Sequence, residues 1–128
     1  MDEPMLRDSH CIFAAADIEK TAEFYEQRLG FRVVKYLSAN EPHICLYRDA
    51  TEIILIQAAG EIVTNRQVCG YGYDAYFITT RQEALQEEFK SAGVSIVRAL
   101  GKTDYQNREF VIEDIDGRWI AFGVKERE

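Results

Sequence analysis

Apolar and polar positions follow two periods along this chain, and the switches between those periods mark its elements. Ser9 to Ala16 is a nearly continuous apolar run, read as a strand, and it ends at Asp17, a good helix N-cap acceptor. Ile18, Ala22, Tyr25 and Leu29 then recur at helical spacing, with Phe24 at the edge of their stripe. Glu19, Glu23, Gln27 and Arg28 cover the other side of that helix, and Gly30 suits the left-handed residue that ends one. Phe31 to Leu37, His43 to Tyr47 and Glu52 to Ala58 read as three strands, divided by turn-rich segments at 38–42 and 48–51.

A weaker copy follows. Gly60 to Gly70 carries little periodicity and reads as a connecting loop, after which Tyr71 to Thr79 has strong strand propensity. Thr80 and Glu83 have capping-box spacing, and Ala84, Leu85, Phe89 and Ala92 form the second helical stripe. Ser95 to Leu100, Arg108 to Glu113 and Arg118 to Val124 read as strands, the last two joined through the Asp116-Gly117 turn. The separation of Asp17 from Thr80 equals that of Gly30 from Gly93, so the order β-α-β-β-β occurs twice. Residues 1–128 form one α+β domain, with module one at about 8–58, a connecting loop at 59–70 and module two at about 71–124. Two such units predict one cupped sheet with a ligand pocket. A ferredoxin-like βαββαβ sandwich is the other fold weighed, and it would strand at least two of the predicted β-segments.

Composition narrows the function. With 128 residues, an apolar fraction of 47% and a charged fraction of 29%, the chain reads as an ordinary soluble domain. A net charge of −7 with no basic stripe argues against nucleic acid as a partner and suits a cationic ligand. Cys11, Cys45 and Cys69 have no C-x-x-C spacing, which predicts free thiols in a reducing cytoplasm. No signal-like segment opens the chain and no apolar run is long enough to span a membrane, so no membrane partner is expected.

Several motifs carry a more specific likeness. His10 lies seven residues ahead of Asp17, followed by Phe24-Tyr25 and Leu29-Gly30-Phe31; later come Arg108-Glu109-Phe110, Asp114, Asp116-Gly117 and Phe122-Gly123. In this order, over residues 8 to 124, the chain resembles the vicinal oxygen chelate superfamily, which includes glyoxalase I, extradiol dioxygenases, fosfomycin-resistance enzymes and bleomycin-resistance proteins. The resemblance implies two βαβββ modules, paired glyoxalase-like motifs, whose mixed sheets curl around a pocket. It also implies a homodimer, with Gly60 to Gly70 long enough to let modules exchange between chains.

Metal-dependent members of that superfamily draw ligands from the first and last strands of each module. His10 matches the first such position, and the third falls on Asp74, or on Tyr73 by the internal repeat. The second falls at or near Leu55, with Gln57 the nearest polar residue, and the fourth falls on Ala121. His10 and Asp74 are two ligands where a catalytic metal needs about three from protein, so the resemblance favours the metal-free bleomycin-resistance branch. Strand parity gives a pocket lining of His10, Ile12, Leu55, Gln57, Asp74, Tyr76, Trp119 and Ala121, with Tyr105 and Arg108 as possible caps. Arg108 has a second reading as an exposed structural pair with Glu109 or Asp114.

Trp119 and Tyr76 suit a planar or cationic ligand, through a cation–π contact worth about 0.5–2 kcal/mol, with Asp74 as countercharge. The predicted function is therefore binding of a small aromatic or cationic molecule, with no cofactor. The alternative is a lyase or dioxygenase using a divalent metal on His10 and Asp74. A metal-free epimerase or lyase using His10 with Asp74, and a member that serves only as an interaction partner, are further readings.

Overall fold

The computed structural model describes residues 2–126 of the chain. Module one comprises β1 (Cys11–Ala15), α1 (Ile18–Leu29), β2 (Arg32–Tyr36), β3 (His43–Arg48) and β4 (Thr51–Gln57). A short helix α2 (Asn65–Cys69) leads into β5 (Ala75–Ile78), α3 (Gln82–Ser91), β6 (Ser95–Lys102), β7 (Asn107–Glu113) and β8 (Trp119–Lys125). The strands form two four-stranded sheets, in the orders β1-β4-β3-β2 and β5-β8-β7-β6. In each sheet the first strand of the module pairs parallel with the last, and the remaining pairs are antiparallel. This is an α+β fold of two βαβββ modules. Among the described residues no strand pair joins the sheets, so the single cupped sheet expected above is not what they form.

Local chemistry explains most boundaries. Asp17 caps α1 by accepting from the Lys20 amide at 3.1 Å, and Gly30 takes φ 74° at its end. The second helix departs from expectation. Thr80 does not cap it; Arg81 is the N-cap residue, makes no side-chain cap bond, and donates its amide to Thr79 Oγ1 at 3.0 Å. Ala84 is exposed, and the covered side of α3 instead runs through Gln82, Leu85 and Phe89. Strand β5 is shorter than the run 71–79 because Gly70 and Gly72, at φ 83° and 108°, keep the chain from extending until Ala75. The connecting segment contains α2, closed by a reciprocal Thr64–Gln67 capping box that five helical residues are too few to announce by periodicity.

The two modules meet through their helix-covered sides. Phe13, Tyr25, Leu29, Ile44 and Leu55 of module one share a single buried cluster with Phe89, Phe110, Ile120 and Phe122 of module two. Within it Phe110 and Phe122 stack at 5.3 Å, and Phe89 meets both edge-on. A polar latch crosses the same boundary. The turn at Asp114–Gly117, with Gly117 at φ 85°, sets two carboxylates side by side. Tyr25 donates to Asp114 Oδ2 at 2.6 Å, and Thr21 donates to Asp116 Oδ2 at 2.7 Å. Arg118 Nε donates to Asp114 at 3.0 Å, its Nη2 to Asp116 at 3.1 Å, and its Nη1 to the Ala14 carbonyl at 2.7 Å.

Burial shapes the protonation of this latch. It raises the Asp114 carboxyl above its ordinary value, against the opposing pull of Arg118 and of the hydrogen bond from Tyr25. Burial likewise raises the Tyr25 phenol well above its usual range, with the Asp114 charge adding to the effect.

Removing the latch cation strands a buried carboxylate. Arg118→Met is expected to lower stability by about 3–5 kcal/mol in urea unfolding at neutral pH. Lys35→Ala, which breaks an exposed 2.9 Å pair with Glu19, is expected to leave it essentially unchanged, because solvent screens that pair. Equal effects from the two would show that the latch carries no special weight.

Candidate functional site

Each sheet has a second face, turned away from the helices and left open. Register partners share a face, so Ile12, Ile54 and Cys45 lie together on the open side of module one. Tyr76, Ala121 and Val111 lie together on that of module two. Large apolar side chains stand exposed on both faces, Ile12 at 63% and Ile78 at 72%. Cys45, Val111 and Ala121 are nevertheless buried, being small residues overhung by longer neighbours such as Tyr76 and Arg98.

The predicted lining divides between the two sides. His10 and Ile12 are on the open face of module one, where His10 Nδ1 stands 3.3 Å from Glu52 Oε1. Leu55 and Gln57 are corrections. They share parity with the core residue Ile53, so Leu55 is fully buried on the helix side. Gln57 splices β1 to α1, donating to the Ala16 carbonyl at 2.8 Å and accepting from the Ile18 amide at 3.0 Å. Arg108 is a third correction. It alternates with Glu109 onto the helix side, pairs with Glu83 of α3 at 2.8 Å, and neither caps the open face nor pairs with Glu109 or Asp114.

Asp74, Tyr76, Tyr105, Trp119 and Ala121 belong to module two. Cys11 and Ala75 open equivalent strands, so Asp74 and not Tyr73 is the counterpart of His10. Both Asp74 carboxylate oxygens accept backbone amides, from Asn65 at 2.9 Å and from Trp119 at 3.3 Å. Trp119 is half-buried between two guanidinium groups, with Arg66 4.2 Å and Arg98 5.3 Å from its ring centre. Its Nε1 donates to Glu113 at 3.0 Å.

The centre of this face is Glu109, only 4% exposed. Tyr73 and Tyr105 each donate to its Oε2 at 2.7 Å. Arg98 donates to the Tyr73 hydroxyl at 2.9 Å, and Asn107 donates to the Tyr76 hydroxyl at 2.9 Å. Gly123, opposite Glu109 in the β7–β8 register, makes room for it, since a Cβ there would stand 2.6 Å from that of Glu109. Burial raises the phenols of Tyr73, Tyr76 and Tyr105, and the neighbouring Glu109 adds to each; Tyr76 is pushed up to about 12.

Sequence reasoning missed Glu109, Arg98, Arg66 and Tyr73 as site residues. For Glu109 the signal was present: with Phe110 in the core, its neighbour must point to the open side. Arg66 sits on a helix too short to predict, and Arg98 sits on β6, where register shifts defeat parity counting.

Among the described residues no group of three His, Cys, Asp or Glu side chains is placed to hold an ion. His10 has one carboxylate beside it, and both oxygens of Asp74 are taken by backbone amides. The residues present do not fit a three-ligand centre within one chain. Among the described residues no helix is long and apolar enough to cross a membrane.

Comparison with known proteins agrees with the fold. Residues 8–122 match the model of the glyoxalase/bleomycin resistance protein/dioxygenase superfamily, and the chain belongs to that superfamily. No protein of curated function matches it in sequence. Among solved structures, a superfamily member from Sphaerobacter thermophilus is 18% identical with a TM-score of 0.72, over 96% of this chain and 100% of that one. A virulence protein from Salmonella typhimurium is 26% identical with a TM-score of 0.68, over 97% and 100%. The fosfomycin resistance protein FosX from Listeria monocytogenes is 13% identical with a TM-score of 0.69, over 96% and 94%, a likeness of fold alone.

The raised phenols imply a pH dependence of stability. A folded tyrosine held above its unfolded value near 10 stabilises the fold fully below that pH, and the contribution is lost as pH rises through the folded value. Stability is therefore expected to fall from about pH 10 onward, with Tyr76 ionising near 12. In an alkaline absorbance titration Tyr76→Phe should remove a late step, and Glu109→Gln should bring that step to lower pH. Loss of a phenol titrating near 10 in Tyr76→Phe would contradict the description of this site.

Proposed function

We propose that this protein binds a small aromatic or cationic molecule on its open sheet faces, as in the bleomycin-resistance branch, without a bound metal. The observation that carries the reading is the module-two face, where Tyr73, Tyr76 and Tyr105 crowd a buried carboxylate and Trp119 stands further along β8 beside Glu113. Aromatic walls with a few fixed polar tips are the usual make-up of small-molecule sites. A homodimer accompanies the proposal: exposed Ile12, Ile56 and Ile78 leave apolar area on these faces for a second copy to cover. A reducing cytoplasm, where three free cysteines are at home, is the proposed location.

Thermal-shift and calorimetric titration with a panel of planar cations tests the reading. Binding is expected, and Tyr105→Ala is expected to weaken it by roughly tenfold, the scale of one desolvated cation–π contact, because the Tyr105 ring is exposed whereas the indole of Trp119 is already held between Arg66 and Arg98. Stoichiometric divalent metal in freshly purified protein, lost on His10→Ala, would contradict the proposal and favour a metal-dependent lyase or dioxygenase. Sedimentation equilibrium at the mass of one chain would remove the dimer.

A further inference from the structure

The open face of module two holds a buried acceptor with nothing to accept from. Glu109 Oε2 takes both phenol bonds, whereas its Oε1 is buried and has no hydrogen-bond partner. Among the described residues Glu109 forms no ion pair, and Arg98 reaches the Tyr73 hydroxyl. Burying an ionised carboxylate without a cation or a full set of donors is costly, and nearly all buried polar groups in folded proteins are paired. Nothing in the fold requires this one: Glu109 is on the face away from the core cluster, and β7 and β8 pair without its side chain. The room that Gly123 leaves for it is used to place a carboxylate under aromatic rings.

We propose that Glu109 Oε1 anchors a protonated primary or secondary amine on an aromatic ligand, whose ring packs among Tyr73, Tyr76 and Tyr105. The proposal rests on the small-molecule reading above and narrows its ligand class. The unpaired atom needs an N–H donor, and the carboxylate favours that donor charged. A quaternary ammonium brings charge without a hydrogen, an alcohol brings a hydrogen without charge, and a carboxylate brings repulsion. Tyr105 is the most exposed of the cluster tyrosines bonded to Glu109, at 47%, so its ring is the one an entering ligand displaces or stacks upon.

The test uses four probes with one ring in common: benzylamine, benzyltrimethylammonium, benzyl alcohol and benzoate. They are titrated into the full chain at neutral pH and followed by NMR through the backbone amides of Glu109 and Trp119. Benzylamine is expected to bind about tenfold or more tighter than each of the others, the scale of one charge-assisted hydrogen bond. Glu109→Gln, nearly identical in shape, is expected to bring benzylamine to within about threefold of benzyl alcohol. Probes that bind through Trp119 with no preference for the amine, or a preference that survives Glu109→Gln, overturn the proposal and leave the small-molecule reading standing. Binding of none of the four overturns both. Should the variant not fold, the ratio of benzylamine to benzyltrimethylammonium on the unaltered chain decides alone.

Discussion

The arrangement depends on two carboxylates and one guanidinium at a turn. Asp114, Asp116 and Arg118 leave the β7–β8 turn and reach Tyr25, Thr21 and the Ala14 carbonyl, all of which belong to module one. A buried ion pair returns little net free energy against an apolar replacement. Here Asp114 remains above its ordinary value despite Arg118, so burial outweighs the attraction. What the latch fixes is orientation: it sets which turn meets which helix, and so holds the modules with their helix sides together. The aromatic cluster of Phe89, Phe110 and Phe122 then packs against module one in that pose.

That constraint decides where chemistry can happen. With the helix sides joined, the other face of each sheet is turned away from the core, carrying exposed Ile12 on module one and Ile78 on module two. Small residues at the centre of these faces are overhung by longer ones such as Tyr76 and Arg98. The two faces differ in character. Module one offers His10 beside Glu52, with Tyr47 across the register under Arg32, whereas module two offers a carboxylate, three phenols and an indole held between two arginines. The internal repeat thus keeps the scaffold in duplicate while the two open faces carry different polar groups.

Much of the scaffold was legible in the residues themselves. Asp17 and Gly30 announced both ends of α1, and the stripe Ile18, Ala22, Tyr25 and Leu29 is buried as its spacing required. Asp116-Gly117 announced the last hairpin turn. The second helix was harder to delimit because Thr80 offered a cap that the backbone does not use. The site was legible only in part, since parity is unforgiving: a one-residue slip in β4 exchanges Leu55 and Gln57 for Glu52, Ile54 and Ile56. Arg108 and Glu109 were likewise exchanged, although Phe110 in the core would have ordered them. Contacts made across the fold, such as Arg66 and Arg98 on Trp119, have no local signature at all.

The back-to-back joining of the modules is the claim on which the rest stands, and a double-mutant cycle between Tyr25→Phe and Asp114→Asn measures it directly. The two side chains are 2.6 Å apart across the module boundary. The account predicts a coupling energy of about 1–3 kcal/mol in chemical denaturation. Effects that add to within about 0.5 kcal/mol would show that the latch does not join the modules.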